Sequence, residues 1–139
     1  MANDTITLDD ARRVVAAAEK RAQEISQPQN IAVVDSGCNL VTHVRMDGAW
    51  IGSIDISINK AWTARAFDME TKALKADNQS GGPLFGIHAS NGGRVMIFAG
   101  GVPLTRDGQI VGAIGVSGGD DKQDQTVAEA GARRCDRRG

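Results

Sequence analysis

The stretch Gly115-Val116-Ser117-Gly118-Gly119 satisfies the G-x-S-x-G spacing of a nucleophile elbow. Acyl transfer by such a serine needs a histidine base and a carboxylate that orients it. In the α/β-hydrolase order both partners follow the serine, yet the two histidines, His43 and His88, precede it. That order is excluded, and the glycines read instead as a tight turn after a strand. Backbone N–H groups at such a turn suit an oxygen-rich ligand. A nucleotide loop is a poor match, because Asp120, Asp121 and Asp124 stand where a phosphate loop would place lysine. Ser117, Gly118 and Gly119 therefore stay as ligand-binding candidates, not as catalytic ones.

Other side chains capable of chemistry are scattered. His88 lies in NQSGGPLFGIHASNGG, whose five glycines and one proline predict a long irregular loop. Long loops on a rigid scaffold carry function disproportionately. His88 is thus a ligand-binding and metal-ligating candidate, with Cys38 in a turn and His43 on a strand as further metal ligands. Cys38 and Cys135 form no C-x-x-C pair, so a structural zinc site has little support. Lys60, beside Trp62 on a helical stretch, either snorkels to solvent or pairs with Asp47 or a ligand carboxylate. Asp47, Lys60 and His88 would be the acid–base set if the protein is an enzyme. The alternatives are a small-molecule binder without catalysis and a purely structural subunit.

The elements that must position these residues follow from periodicity. Thr7 is placed to cap a helix, with Asp10 three residues on able to reach back. Leu8, Ala11, Val14, Val15, Ala18, Ala22 and Ile25 recur at helical spacing until Pro28 forbids continuation. Residues 31–34 and 40–46 read as a hairpin around Asp35-Ser36-Gly37, with Leu40, Thr42, Val44 and Met46 on one face. SIDISINKAWTARAFDM changes to a helical period with Ser53 as its cap, and METKALKAD continues it briefly. Three strands are then predicted at 94–98, 102–105 and 109–116, the last two joined by Asp107-Gly108. Pro103 points to a strand start, an edge or a bulge. A last helix covers 120–134 with Val127, Ala128 and Ala132 inward. The sum is one domain over 1–139, an α+β fold with a five-stranded antiparallel sheet flanked by helices.

Composition excludes several classes. Sixteen basic residues nearly balance seventeen acidic ones, so no global field draws in nucleic acid or an anionic membrane. With 3 Phe, 2 Trp and no Tyr, base-stacking platforms are unavailable. The arginines of RRCDRRG (Arg133, Arg134, Arg137 and Arg138) suit a helix C-terminus and tail. The polar start MANDTITLDD is no signal peptide, and no run approaches bilayer-spanning length. The expected location is the cytoplasm, with no nucleic-acid or membrane partner.

Two long stretches, AVVDSGCNLVTHVRMDGAWIGSIDISINKAWTARAF and GGVPLTRDGQIVGAIGVSGGDDKQDQTVAEAG, together resemble the GlcG/HbpS-like haem-binding-type family. That family includes the C-terminal domain of PduO-type proteins of diol and glycerol utilisation. The resemblance covers nearly the whole chain through RMDGA, GGVPL, GAIGVSGG and the D-x-x-VA-x-AG run. It implies a profilin-like five-stranded fold, a homo-oligomer and haem as candidate cofactor. It also implies an accessory or sensor role in glycolate, diol or glycerol metabolism. The adenosyltransferase activity of PduO belongs to its other domain and is not carried over. By the same resemblance Arg45, Met46, Asp47 and Gly48 fall on RMDGA, and Lys60 on the helix after it. Cys38 stands where a glycine is expected. No motif names the haem ligand.

Overall fold

The computed structural model describes residues 5–136. Helix α1 (Leu8–Glu24) opens as its sequence predicts: the Thr7 Oγ1 accepts the Asp10 N–H at 3.1 Å. The Asp10 carboxylate meets the Thr7 side chain and two arginines. Its two oxygens bind Arg13 at 2.8 Å and Arg106 at 2.9 Å. Strands β1 (Asn30–Asp35) and β2 (Leu40–Arg45) form the expected hairpin. Helix α2 (Gly52–Phe67) follows, then the short α3 (Ala73–Asp77), with 3₁₀ turns at Ile87–Ala89 and Asn91–Gly93. Strands β3 (Gly101–Arg106) and β4 (Gln109–Ser117) and helix α4 (Asp121–Asp136) complete the described chain. Arg137 and Arg138 lie outside the described residues.

The described sheet has four antiparallel strands in the order β2-β1-β4-β3, not five. The missing strand is 94–98. Its backbone is claimed by α2: Thr63 donates its hydroxyl to the Arg94 carbonyl at 3.1 Å and accepts the Met96 N–H at 3.0 Å. The Arg94 guanidinium lies 4.1 Å from the centre of the Trp62 ring, holding the segment along the helix. Buried Val95 explains why the apolar pattern mimicked a strand. Pro103 sits on β3, an edge strand of this sheet, where a missing N–H is tolerated.

Helices α1 and α4 cover one face of the sheet and α2 the other, giving three layers. Ile31, Val33, Leu104, Ile114 and Val116 meet Val14, Ala18, Val127 and Ala128 in the larger core. The α2 side is lined by small residues, Ala32, Val34, Ala61, Ala64 and Ala113. A bulge between Val33 and Val34 pairs Leu40 with Val34, moving Leu40 off the face it was predicted to share with Thr42 and Val44. Val41 gains the core contact instead. Leu8, placed inward by periodicity, is largely exposed. Among the described residues no helix is long and apolar enough to cross a membrane.

Asp10 carries a testable consequence. Burial raises its pKa, but the bonds from Arg106, Arg13 and Thr7 outweigh that and hold it at about 2, below the usual 3.8. A depressed carboxylate stabilises the fold above the unfolded pKa and loses that contribution as pH falls through the folded one. Urea unfolding at successive pH values should show Asp10→Asn costing about 2 kcal/mol at pH 7. The cost should shrink from roughly pH 5 down to roughly pH 2, and a pH-independent cost would refute the assignment.

Candidate functional site

The RMDGA segment is first of all a turn. The Ala49 N–H donates to the Met46 carbonyl at 3.0 Å, and Gly48 adopts a left-handed φ of +85°. Arg45 and Asp47 line a polar cavity with Glu19 and Gln23 of α1. Lys60 and His88 do not line it. Neither histidine lines the cavity that holds Ser117, so among the described residues no histidine base stands beside that serine.

Lys60 is deeply buried. Its Nζ donates to the Val116 carbonyl at 2.8 Å and to Asp124 Oδ2 at 3.1 Å. Its partner is therefore Asp124, not Asp47, because α2 packs directly on β4 and points Lys60 towards the first turn of α4. Desolvation lowers the Lys60 pKa, and the Asp124 carboxylate opposes the shift. Asp124 Oδ1 also accepts the Gly119 N–H at 2.9 Å, fixing the glycine turn. Asp120 and Gln123 close a reciprocal capping box, with Asp120 N–H on Gln123 Oε1 and Gln123 N–H on Asp120 Oδ1. Ser117, Gly118, Gly119 and Lys60 thus meet in one pocket of about 200 Å³, with Trp50, Ile56, Phe98 and Ser53 among its walls. Ser53 is not the cap of α2: the helix starts at Gly52, and the serine faces this pocket.

The glycine pairs around the pocket exist for close approach. A Cβ on Gly100 would lie 2.4 Å from the Val116 carbonyl oxygen and 2.9 Å from Lys60 Nζ. One on Gly118, whose φ is +151°, would lie 2.9 Å from Gln29 Oε1. The Gln29 amide is fully buried and finds no hydrogen-bond partner among the described residues.

His88 lies elsewhere. It lines a second, apolar cavity of about 230 Å³ with Gly93, Val95, Met96, Ile97 and Phe98. Phe98 therefore walls both cavities. Asn78 Oδ1 accepts the Gly86 N–H at 2.8 Å, which fixes the amide with its oxygen towards the loop. The same oxygen is 3.1 Å from His88 Nδ1, so that nitrogen must carry the proton. The lone pair is left on Nε2, the tautomer that binds a metal.

The other candidate ligands are worse placed. Cys38 has a left-handed φ of +67°, which accounts for the glycine expected there. Burial pushes its thiol up, and its Sγ lies 3.8 Å from the Trp62 carbonyl. A metal takes a thiolate, so this sulfur is poorly prepared. His43 pairs across the sheet with Ala32, on the face that α2 covers. Burial first, then the Arg45 charge, lowers its pKa, and its Nε2 is buried without a partner. Among the described residues no group of three or more His, Cys, Asp or Glu side chains could hold a metal ion.

The chain is a three-layer α+β fold whose described cavities keep His88, the Arg45–Asp47 pair and the Lys60–Ser117 group apart. This chain belongs to the HbpS-like family, whose model, described as haem degrading protein HbpS-like, matches residues 6–133. It is 42% identical over 125 residues to a 15.0 kDa protein in the dhaT–dhaS intergenic region of Citrobacter freundii, covering 90% of this chain and 88% of that one. It is 36% identical to the corrinoid adenosyltransferase PduO of Salmonella typhimurium, covering 89% of this chain but 37% of the enzyme. The chain thus spans little more than a third of PduO.

Among solved structures, Klebsiella pneumoniae protein ORFY superposes with a TM-score of 0.93 at 40% identity, over 97% of this chain and 93% of that one. The PduOC:haem complex superposes with a TM-score of 0.89 at 32% identity, over 94% of both chains.

Proposed function

We propose that this chain binds haem, with His88 Nε2 as the residue that would hold the iron. The observation that carries the reading is the Asn78–His88 pair, which leaves Nε2 free beside an apolar cavity. The residues fit such a group in kind: an imidazole for the iron, with Val95, Met96, Ile97 and Phe98 to face an apolar ring. The cavity is smaller than the range typical of enclosed ligand pockets, so the ring would lie largely on an open face. Haem would supply redox or sensing chemistry; the chain's own part is to orient the imidazole, keep Nδ1 protonated and shield one face of the ring. Family membership and the haem complex of a relative support the reading.

Self-association accompanies this proposal, supported by the exposure of Trp50, Ile51, Phe85 and Phe98. The setting is an accessory or sensor role in cytoplasmic glycolate, diol or glycerol metabolism. Asp47, Lys60 and His88 line three separate cavities, so the enzyme alternative that joins them gains no geometric support.

Titration of the protein with hemin, followed by the Soret band, tests the proposal. A saturable shift is expected, with affinity reduced on the order of 100-fold in His88→Ala and tenfold in Asn78→Ala. Cys38→Ala and His43→Ala should bind as the unaltered chain does. A shift that never saturates, or one indifferent to His88, would overturn it.

A further inference from the structure

The pocket around Lys60 is separate from the His88 cavity and holds polar groups without partners. An ammonium has three N–H donors, and the Val116 carbonyl and Asp124 take two of Lys60's. The described residues supply no acceptor for the third. The hydroxyls of Ser53 and Ser117 face the same pocket, both residues are about 95% buried (4% and 5% exposed), and neither hydroxyl has a hydrogen-bond partner among the described residues. The two serine hydroxyls open into this cavity, and with the remaining Lys60 donor they offer hydrogen bonds to a molecule seated there.

Charge narrows what that can be. Lys60 is neutralised by Asp124, and Asp121 at the rim is neutralised by Lys75 at 2.7 Å. The pocket therefore carries no surplus charge to attract a carboxylate or phosphate, and Asp124 would repel either. A neutral molecule with an acceptor oxygen for Lys60 and adjacent hydroxyls for the serines fits both requirements. Trp50, Ile56 and Phe98 supply apolar walls for its carbon skeleton. A volume of about 200 Å³ restricts it to a few carbons.

We infer that this pocket is a binding site for a small neutral polyol or hydroxycarbonyl compound, held by Lys60, Ser53 and Ser117. The inference is independent of haem binding. Its test is an amide ¹H–¹⁵N NMR titration of the whole chain with glycerol and with dihydroxyacetone, and with glycolate as the anionic comparison. Saturable shifts at Lys60, Gly118 and Gly119 are expected with a neutral probe, about tenfold weaker in Ser53→Ala and Ser117→Ala. Both substitutions remove one oxygen and should leave the spectrum folded. Absence of saturation with both neutral probes, tighter binding of glycolate, or indifference to both serines would overturn it.

Discussion

Lys60→Met is expected to lower the free energy of unfolding by about 3–5 kcal/mol, measured by urea denaturation at pH 7. The magnitude follows from what is left behind. The Asp124 side chain is 5% exposed, and without Lys60 its carboxylate keeps only the Gly119 N–H. An uncompensated charge in that position costs far more than the pair contributes net. The loss is a large share of the 5–15 kcal/mol that stabilises a typical domain. Pairing Lys60→Met with Asp124→Leu should recover much of it, because the orphaned charge goes too. A single-variant cost below about 1 kcal/mol would mean that the pair is solvated and behaves like a surface bridge.

Gly115→Ala is expected to cost about 3 kcal/mol by overpacking. The backbone at Gly115 does not need glycine for its conformation, so the cost is steric. A Cβ there would lie 2.0 Å from the Ser57 carbonyl oxygen and 2.5 Å from the Ala61 nitrogen. Both atoms belong to the backbone of α2, so no side chain can swing aside. The helix must lift from the sheet, carrying Ser53, Lys60 and Thr63 with it. Gly52→Ala is the matched comparison, since a Cβ at Gly52 meets nothing within 4 Å. It should be neutral or stabilise by up to about 1 kcal/mol. Thermal unfolding of the two variants side by side separates close packing from glycine content; equal melting temperatures would refute the steric account.

The local signals were readable because they are written in neighbouring residues. Thr7 at the start of α1, Pro28 beyond its end and Asp107-Gly108 between β3 and β4 each act within a few positions. Two other local features carry weaker sequence signals. The Asp120–Gln123 capping box starts α4, and the bulge at Val41 of β2, opposite Val33 and Val34, turns Leu40 to the other face. A box with Asp and Gln in place of Ser and Glu was there to be found. The bulge was not, since alternation alone carries no mark of an extra residue.

The strand predicted at 94–98 failed for a different reason. Burial and β-branched composition are the same whether a segment pairs with a strand or lies along a helix. The hydroxyl of Thr63, some thirty residues earlier in the chain, decided between them. The candidate site divides in the same way. Lys60, Ser117, Gly118 and Gly119, candidates on sequence, meet in one pocket, whereas the further candidates Arg45, Asp47 and His88 lie elsewhere. Ser53, predicted as a cap, faces the same pocket as Lys60.

By itself, the sequence determined the order and period of most elements, the antiparallel hairpins and the family, because these depend on local spacing and on motifs read in series. Only the tertiary structure decided that Lys60 pairs with Asp124, that His88 presents Nε2 and that Gly115 must lack a side chain. Those outcomes depend on which surfaces come within a few ångströms across 8 to 64 positions of chain. At that range burial sets the strength of a contact, and no local pattern encodes it.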